Sequence, residues 1–170
     1  MRVFFSILIF LMASVSGCIS QEAETPVISE DSMTVAPQFP EFELNDHRNL
    51  TWQSSDLPYR YVAYFSAIWC THCKPTLGAL DEVIPNGSLL VFNKDGRDGY
   101  SNVSKWHTEM ESGLNRSLPH PFIHAPDIAL ELNVTPIPTV FFVHNGDIIQ
   151  RWEGLHEDKD QIREIWDSMV

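Results

Sequence analysis

The stretch Ala67–Leu77 reads AIWCTHCKPTL and carries two of the chain's three cysteines, Cys70 and Cys73, with two residues between them. Directly before it, Tyr61–Ser66 (YVAYFS) is a β-branched and aromatic run bounded by Pro58, which predicts a buried strand. Directly after it, Leu77, Leu80 and Ile84 recur at helical spacing, so the second cysteine opens a helix. Pro75 fits near such a start, where a missing N–H costs little. The rest of the fold is read outward from this strand–cysteine pair–helix junction.

Downstream, Leu89–Phe92 reads as a second strand. Val103, Trp106, His107 and Met110 form a helical stripe that stops near Gly113, and Asp127–Leu132 is a short helical turn. Thr139–Val143 and Asp147–Trp152 read as strands joined by His144-Asn145-Gly146-Asp147, a hairpin signal. The chain closes with Ile162, Ile165, Trp166 and Met169 at i, i+3, i+4, i+7, an amphipathic helix. This order predicts an α/β domain with a mixed central sheet flanked by helices on both faces. No internal repeat is present.

The 170 residues suffice for one good core and not for two ordinary domains. Met1 and Arg2 are followed by the apolar run Val3–Val15, shorter than the roughly 20 residues that span a bilayer, so it reads as a signal-peptide core. The run ends in Val15-Ser16-Gly17-Cys18, which resembles a lipobox. We expect a lipoprotein signal peptide over 1–17, a lipidated Cys18 with an acidic tether over 18–38, and a single domain over 39–170. Lipid on the Cys18 sulfur would leave Cys70 and Cys73 as the only thiols, outside the cytoplasm, where disulfides persist.

The formal charge is −12, and loss of Arg2 with the signal peptide makes it −13. Such a charge argues against nucleic acid and against docking on anionic lipid; a salt-rich habitat or basic protein partners both suit it. Asn49, Asn86, Asn102, Asn115 and Asn133 each begin an N-glycosylation sequon, where the eight asparagines would give about one by chance. The excess suggests export in an organism that N-glycosylates.

Four chemistries compete for the cysteine pair. Structural zinc needs four ligands, and the chain has no second pair and only scattered histidines. A purely structural disulfide across so short a loop stabilises little. Copper(I) suits two thiolates and a histidine. The position favours the fourth, a dithiol–disulfide centre. A cysteine at a helix N-terminus has its thiolate stabilised by free N–H groups and the helix dipole, and a partner one turn in attacks the mixed disulfide that the first one forms. Cys70 is then the exposed nucleophile and Cys73 the resolving thiol.

With these residues assembled, the chain resembles the thioredoxin-fold family. FSAIWCTHCK (Phe65–Lys74) is similar to the family's Trp-Cys-x-x-Cys junction, VTPIPTVFF (Val134–Phe142) to its cis-proline segment, and NGDIIQRWEG (Asn145–Gly154) to its final hairpin. APQFPEFELND (Ala36–Asp46) looks like the lead-in of the membrane-anchored TlpA/ResA-type branch. The resemblance covers Ala36–Val170. It implies a cis Ile137–Pro138 bond beside the cysteines, with Pro136 as the competing assignment, and a substrate strand pairing with the backbone of Ile137 or Thr139. Trp69 would be an exposed aromatic flanking the site.

The departures carry information. The family's buried Asp, or the branch's Asn, six residues before the first cysteine is Tyr64 here, read as a core aromatic and a poor proton acceptor. The inner pair is Thr71-His72, and a His before the second cysteine resembles protein disulfide isomerase and DsbA. Its partly cationic ring would stabilise the Cys70 thiolate and raise the potential, on the order of −200 to −120 mV. His120 and His124 are expected in the loop before the short helix, solvated or packed, with a copper-ligand role beside the cysteines as the alternative. Peroxiredoxins carry a Thr where Ala67 stands, against peroxidase chemistry.

The resemblance implies an exported, lipid-anchored, monomeric thiol–disulfide oxidoreductase that needs no cofactor or metal. Its partners would be exported thiol or disulfide proteins and a membrane redox partner. The rivals are a reductant in cytochrome c or copper-site maturation, and a copper(I)-binding metallochaperone, although copper-delivery relatives of the fold space their cysteines by three residues.

Overall fold

The structure is a computed structural model that describes residues 36–169. The expected signal peptide, Cys18 and the tether up to residue 35 lie outside the described residues.

The strand before the cysteines forms as expected. β3 (Arg60–Ser66) is buried along nearly its whole length. Alternate side chains enter opposite cores, as the twofold period of a strand requires: Val62 and Tyr64 on one face, Tyr61, Ala63 and Phe65 on the other. Because both faces are covered, the run reads as continuously apolar.

β3 is the centre of a five-stranded sheet ordered β5-β4-β3-β6-β7, with β4 (Leu89–Asn93), β5 (Phe122–His124), β6 (Thr139–His144) and β7 (Asp147–Glu153). β3, β4 and β5 are parallel; β6 and β7 are antiparallel to their neighbours. The mixed sheet and its helices are those the sequence predicts. α1 (Lys74–Val83), α2 (Tyr100–Leu114) and α4 (Lys159–Ser168) pack on the face that holds the cysteines, through Leu77, Leu80, Trp106, Ile162 and Trp166. The other face is covered by α3 (Pro126–Glu131), by Phe39, and by the small hairpin β1 (Glu43–Asn45)–β2 (Thr51–Gln53).

Local signals set the element ends. Asn115 caps α2 in the left-handed region at φ 53°, which an Asn side chain tolerates. The Asp158 carboxylate accepts from the N–H groups of Asp160 (2.9 Å) and Gln161 (3.2 Å) at the start of α4. Asn145 and Gly146, at φ 53° and 86°, make the tight β6–β7 turn.

The hairpin β1–β2 and strand β5 do not follow from the sequence reading. Each of these strands has three residues, too few for a twofold period to show. β5 corrects the placement of His124, which ends this strand and is not a loop residue. The edge position of β5 tolerates the preceding Pro121. The paired chain also begins ahead of residue 39: Pro37 accepts from the Ile148 N–H at 2.8 Å, and Gln38 bridges Asp147. This lead-in lies at the β6–β7 turn, the end of the sheet opposite the cysteines. Among the described residues no helix is long and apolar enough to cross a membrane.

Candidate active site

Cys70 ends the link from β3 and caps a single 3₁₀ turn, Thr71–Cys73; Cys73 then caps α1. This nested start places the two residues at a Cα separation of 5.5 Å, and they form a disulfide, within the usual span for such a bond. The turn is closed by the Cys73 N–H donating to the Cys70 carbonyl at 3.3 Å and by the Cys70 N–H donating to Ala67 at 3.0 Å. Pro75 sits in the first turn of α1, where the sequence places it.

Cys70 was expected to be exposed. It is 5% exposed and Cys73 0%. The order holds, but the exposure is small, because the bonded sulfurs belong to the core cluster of Leu77 and Val140, with Ile137 packed against it. The inner residues Thr71 and His72 are exposed. One ring nitrogen of His72 and the two sulfurs lie within 4.8 Å of one another.

Trp69 is 55% exposed, and its indole N–H donates to the Asp95 carboxylate at 2.6 Å. The Arg97 guanidinium reaches the same carboxylate at 2.5–3.2 Å. Arg97 first, then Trp69, hold Asp95 well below the usual carboxylate range. The buried Asn93 side chain accepts from the Asp95 N–H at 2.8 Å, fixing the loop at the end of β4.

The Ile137–Pro138 bond is cis. Pro138 is buried, and its carbonyl accepts from the Gly154 N–H at 2.8 Å. Thr139 is fully buried, and its hydroxyl donates to the Pro136 carbonyl at 2.7 Å. Lys94 donates to the Val134 and Thr135 carbonyls at 2.7 and 2.8 Å; Arg151 donates to Leu132 and Asn133 at 2.8 and 3.1 Å. Two cations thus hold the segment that leads into Pro138. Among the described residues, the Ile137 N–H and C=O make no hydrogen bond.

Tyr64 is more than the core aromatic expected: it is fully buried, and its hydroxyl donates to the Cys73 carbonyl at 2.7 Å. His120 lies away from the cysteines, fully buried against Asp81 at 2.8 Å. His124 contacts the Asp95 carbonyl at 3.2 Å through Nε2. Lys94 and Asp95 were missed by the sequence reading. Their signal is topological, since loops at the carboxyl ends of adjacent parallel strands converge. Two clefts, of about 930 Å³ beside Phe42 and Tyr59 and about 440 Å³ beside Arg60 and His144, lie at the opposite end and contain neither cysteine.

No family model matches the chain. The mitochondrial thioredoxin of Bos taurus is 26% identical over 111 residues, which is 64% of this chain and 51% of that protein. The chain therefore spans about half the length of that curated relative. The exposed lipoprotein thioredoxin Etrx1 of Streptococcus pneumoniae superposes with a TM-score of 0.61 at 23% identity, over 76% of this chain and 99% of that one. A thiol:disulfide interchange protein of the thioredoxin family from Chlorobium tepidum gives 0.63 at 19% identity, over 79% and 97%. The chain has the thioredoxin fold.

Proposed function

We propose that the chain is a thiol–disulfide oxidoreductase of the TlpA/ResA type, exported and held at the membrane by lipid on Cys18. The observation that carries the redox reading is the Cys70–Cys73 disulfide seated at a strand-to-helix junction, with a His72 ring nitrogen within 4.8 Å of both sulfurs and Pro138 at the head of β6. The mitochondrial thioredoxin and the interchange protein support this reading. An exposed lipoprotein among the similar structures supports the location. So does the exposure of all five sequon asparagines.

In the reduced protein the Cys70 thiolate attacks one sulfur of a substrate disulfide. The substrate S–S bond breaks, a Cys70–substrate disulfide forms, and the departing thiolate takes a proton from water. The Cys73 thiolate then attacks the Cys70 sulfur, releasing the second substrate thiolate and closing the Cys70–Cys73 bond. Two electrons pass to the substrate; oxidation of substrate dithiols is the same path reversed. The Ile137 backbone, unpaired among the described residues, offers a donor and an acceptor to an extended substrate segment, as in strand addition. Trp69 supplies an exposed aromatic contact.

The first experiment is the Cys70–Cys73 equilibrium in graded glutathione buffers, with thiols trapped by alkylation. A potential above about −200 mV places the protein among oxidants and isomerases, and one below about −270 mV among reductants such as those of cytochrome c or copper-site maturation. Cys70→Ser is expected to abolish turnover of a scrambled-disulfide substrate, and Cys73→Ser to accumulate the mixed disulfide. A second reading rests on the convergence of His72 with both sulfurs: the reduced site has the soft donor set that suits copper(I). Stoichiometric, air-stable copper(I) binding without disulfide turnover would put that reading first.

A further inference from the structure

Tyr64 lies mid-strand in β3, fully buried, facing the cluster that contains Cys70, Cys73, Leu77 and Leu80. A phenylalanine ring would fill the same space, as Phe65, Phe92 and Phe141 do on the sheet's other face. A buried hydroxyl costs free energy unless it is hydrogen-bonded. Here it meets the Cys73 carbonyl at 2.7 Å.

That carbonyl belongs to the cap of α1, where a carbonyl already accepts the first helical bond. Tyr64 adds a second bond, from the interior of the sheet. The motif's other hydrogen bonds run elsewhere. Cys70 to Ala67 and Cys73 to Cys70 are local, and Trp69 to Asp95 ties the exposed side. The Ser66 hydroxyl is also buried on this face. Its oxygen has no hydrogen-bond partner among the described residues. The hydrogen bond that the phenol makes is the one to Cys73.

We propose that Tyr64 is a positioning residue of the dithiol centre: by pinning the Cys73 peptide to β3, it keeps the Cys73 sulfur within bonding reach of Cys70 and so favours the disulfide over the separated dithiol. The proposal rests on the redox reading above. Closing a disulfide between two thiols of one chain is a unimolecular step, and its equilibrium rises with the effective concentration of one sulfur at the other. A bond that limits where Cys73 can go raises that concentration. In the glutathione exchange, the Cys70 and Cys73 thiols lose two electrons and two protons, and one glutathione disulfide becomes two glutathione thiols. Tyr64 takes no proton in this exchange. Burial pushes its phenol well above the usual range, so it stays a neutral donor throughout.

The test compares wild type, Tyr64→Phe and Tyr61→Phe in graded glutathione buffers, after circular dichroism has shown that each is folded. Tyr61 is a second buried tyrosine of β3, on the face away from the cysteines. Tyr64→Phe is expected to lower the equilibrium constant for disulfide formation about three- to tenfold, an upward shift of about 14 to 30 mV, with Tyr61→Phe unchanged. An unchanged constant in Tyr64→Phe, or an equal shift in both variants, would overturn the assignment. Should Tyr64→Phe not fold, Tyr64→Leu, which also lacks the hydroxyl, takes its place. If neither folds, Tyr64 is a structural residue and the proposal is wrong. Failure of the redox reading looks different: the wild type itself would not cycle between disulfide and dithiol.

Discussion

His72 is exposed and has a ring nitrogen within 4.8 Å of both cysteine sulfurs. A protonated imidazole at this range stabilises a thiolate and hence the reduced form. His72→Pro is therefore expected to make the disulfide harder to reduce, by tenfold or more in the glutathione equilibrium, about 30 mV. An unchanged potential would remove His72 from the account. A second histidine, His47, is held toward its neutral form. Its ring stacks on His107 at 4.0 Å, and its Nδ1 accepts from the Phe122 N–H at 3.2 Å. Burial first, then the neighbouring His107, push it down to about 4. Between that value and the usual one of about 6.5, the unfolded chain binds the extra proton, so stability falls as pH drops through this window. Denaturant midpoints at about pH 7 and about pH 5 should differ, and His47→Gln should reduce the difference.

At the scale of elements, the segment before Pro138 is held by charge. Lys94 bonds two of its carbonyls and Arg151 two more. Hydrogen bonds from charged groups contribute about 1.5–3 kcal/mol. Lys94→Met is therefore expected to cost stability of that order and to weaken substrate capture more than the Cys70–Cys73 equilibrium, read as KM against potential. The β6–β7 turn depends on Gly146 at φ 86°, where an added Cβ would also come to 3.0 Å from the Gln38 side chain. Gly146→Ala should destabilise by about 1 kcal/mol or more, visible as a lower denaturation midpoint with unchanged redox potential.

Across the whole molecule, potential and stability are linked. A His72 that favours the dithiol stabilises the reduced protein relative to the oxidised one, and in strongly oxidising members of this chemistry the reduced form is the more stable. Thermal melts of the two forms test this; a clearly more stable disulfide form would place the protein with reductants. The formal charge of −12 adds repulsion to the compact state. Moderate salt should raise the melting temperature of both forms alike, because screening acts on exposed charge everywhere and not on the buried disulfide.

The sequence by itself determined the elements whose signals are long or local. These are the buried run of β3, the helix opened at Cys73, the Asn145-Gly146 turn and the amphipathic α4; each is specified by neighbours a few residues away. The cysteine pair was legible for the same reason, since a dithiol with two residues between its cysteines at a helix start needs no distant partner. The reach of Tyr64 to Cys73, of Trp69 to Asp95 and of Lys94 to Val134 was decided only by tertiary structure. So were the burial of Cys70, the strand of His124 and the core placement of His120. These contacts join residues separated by up to 40 positions, and chain periodicity carries no record of which strand ends the sheet brings side by side.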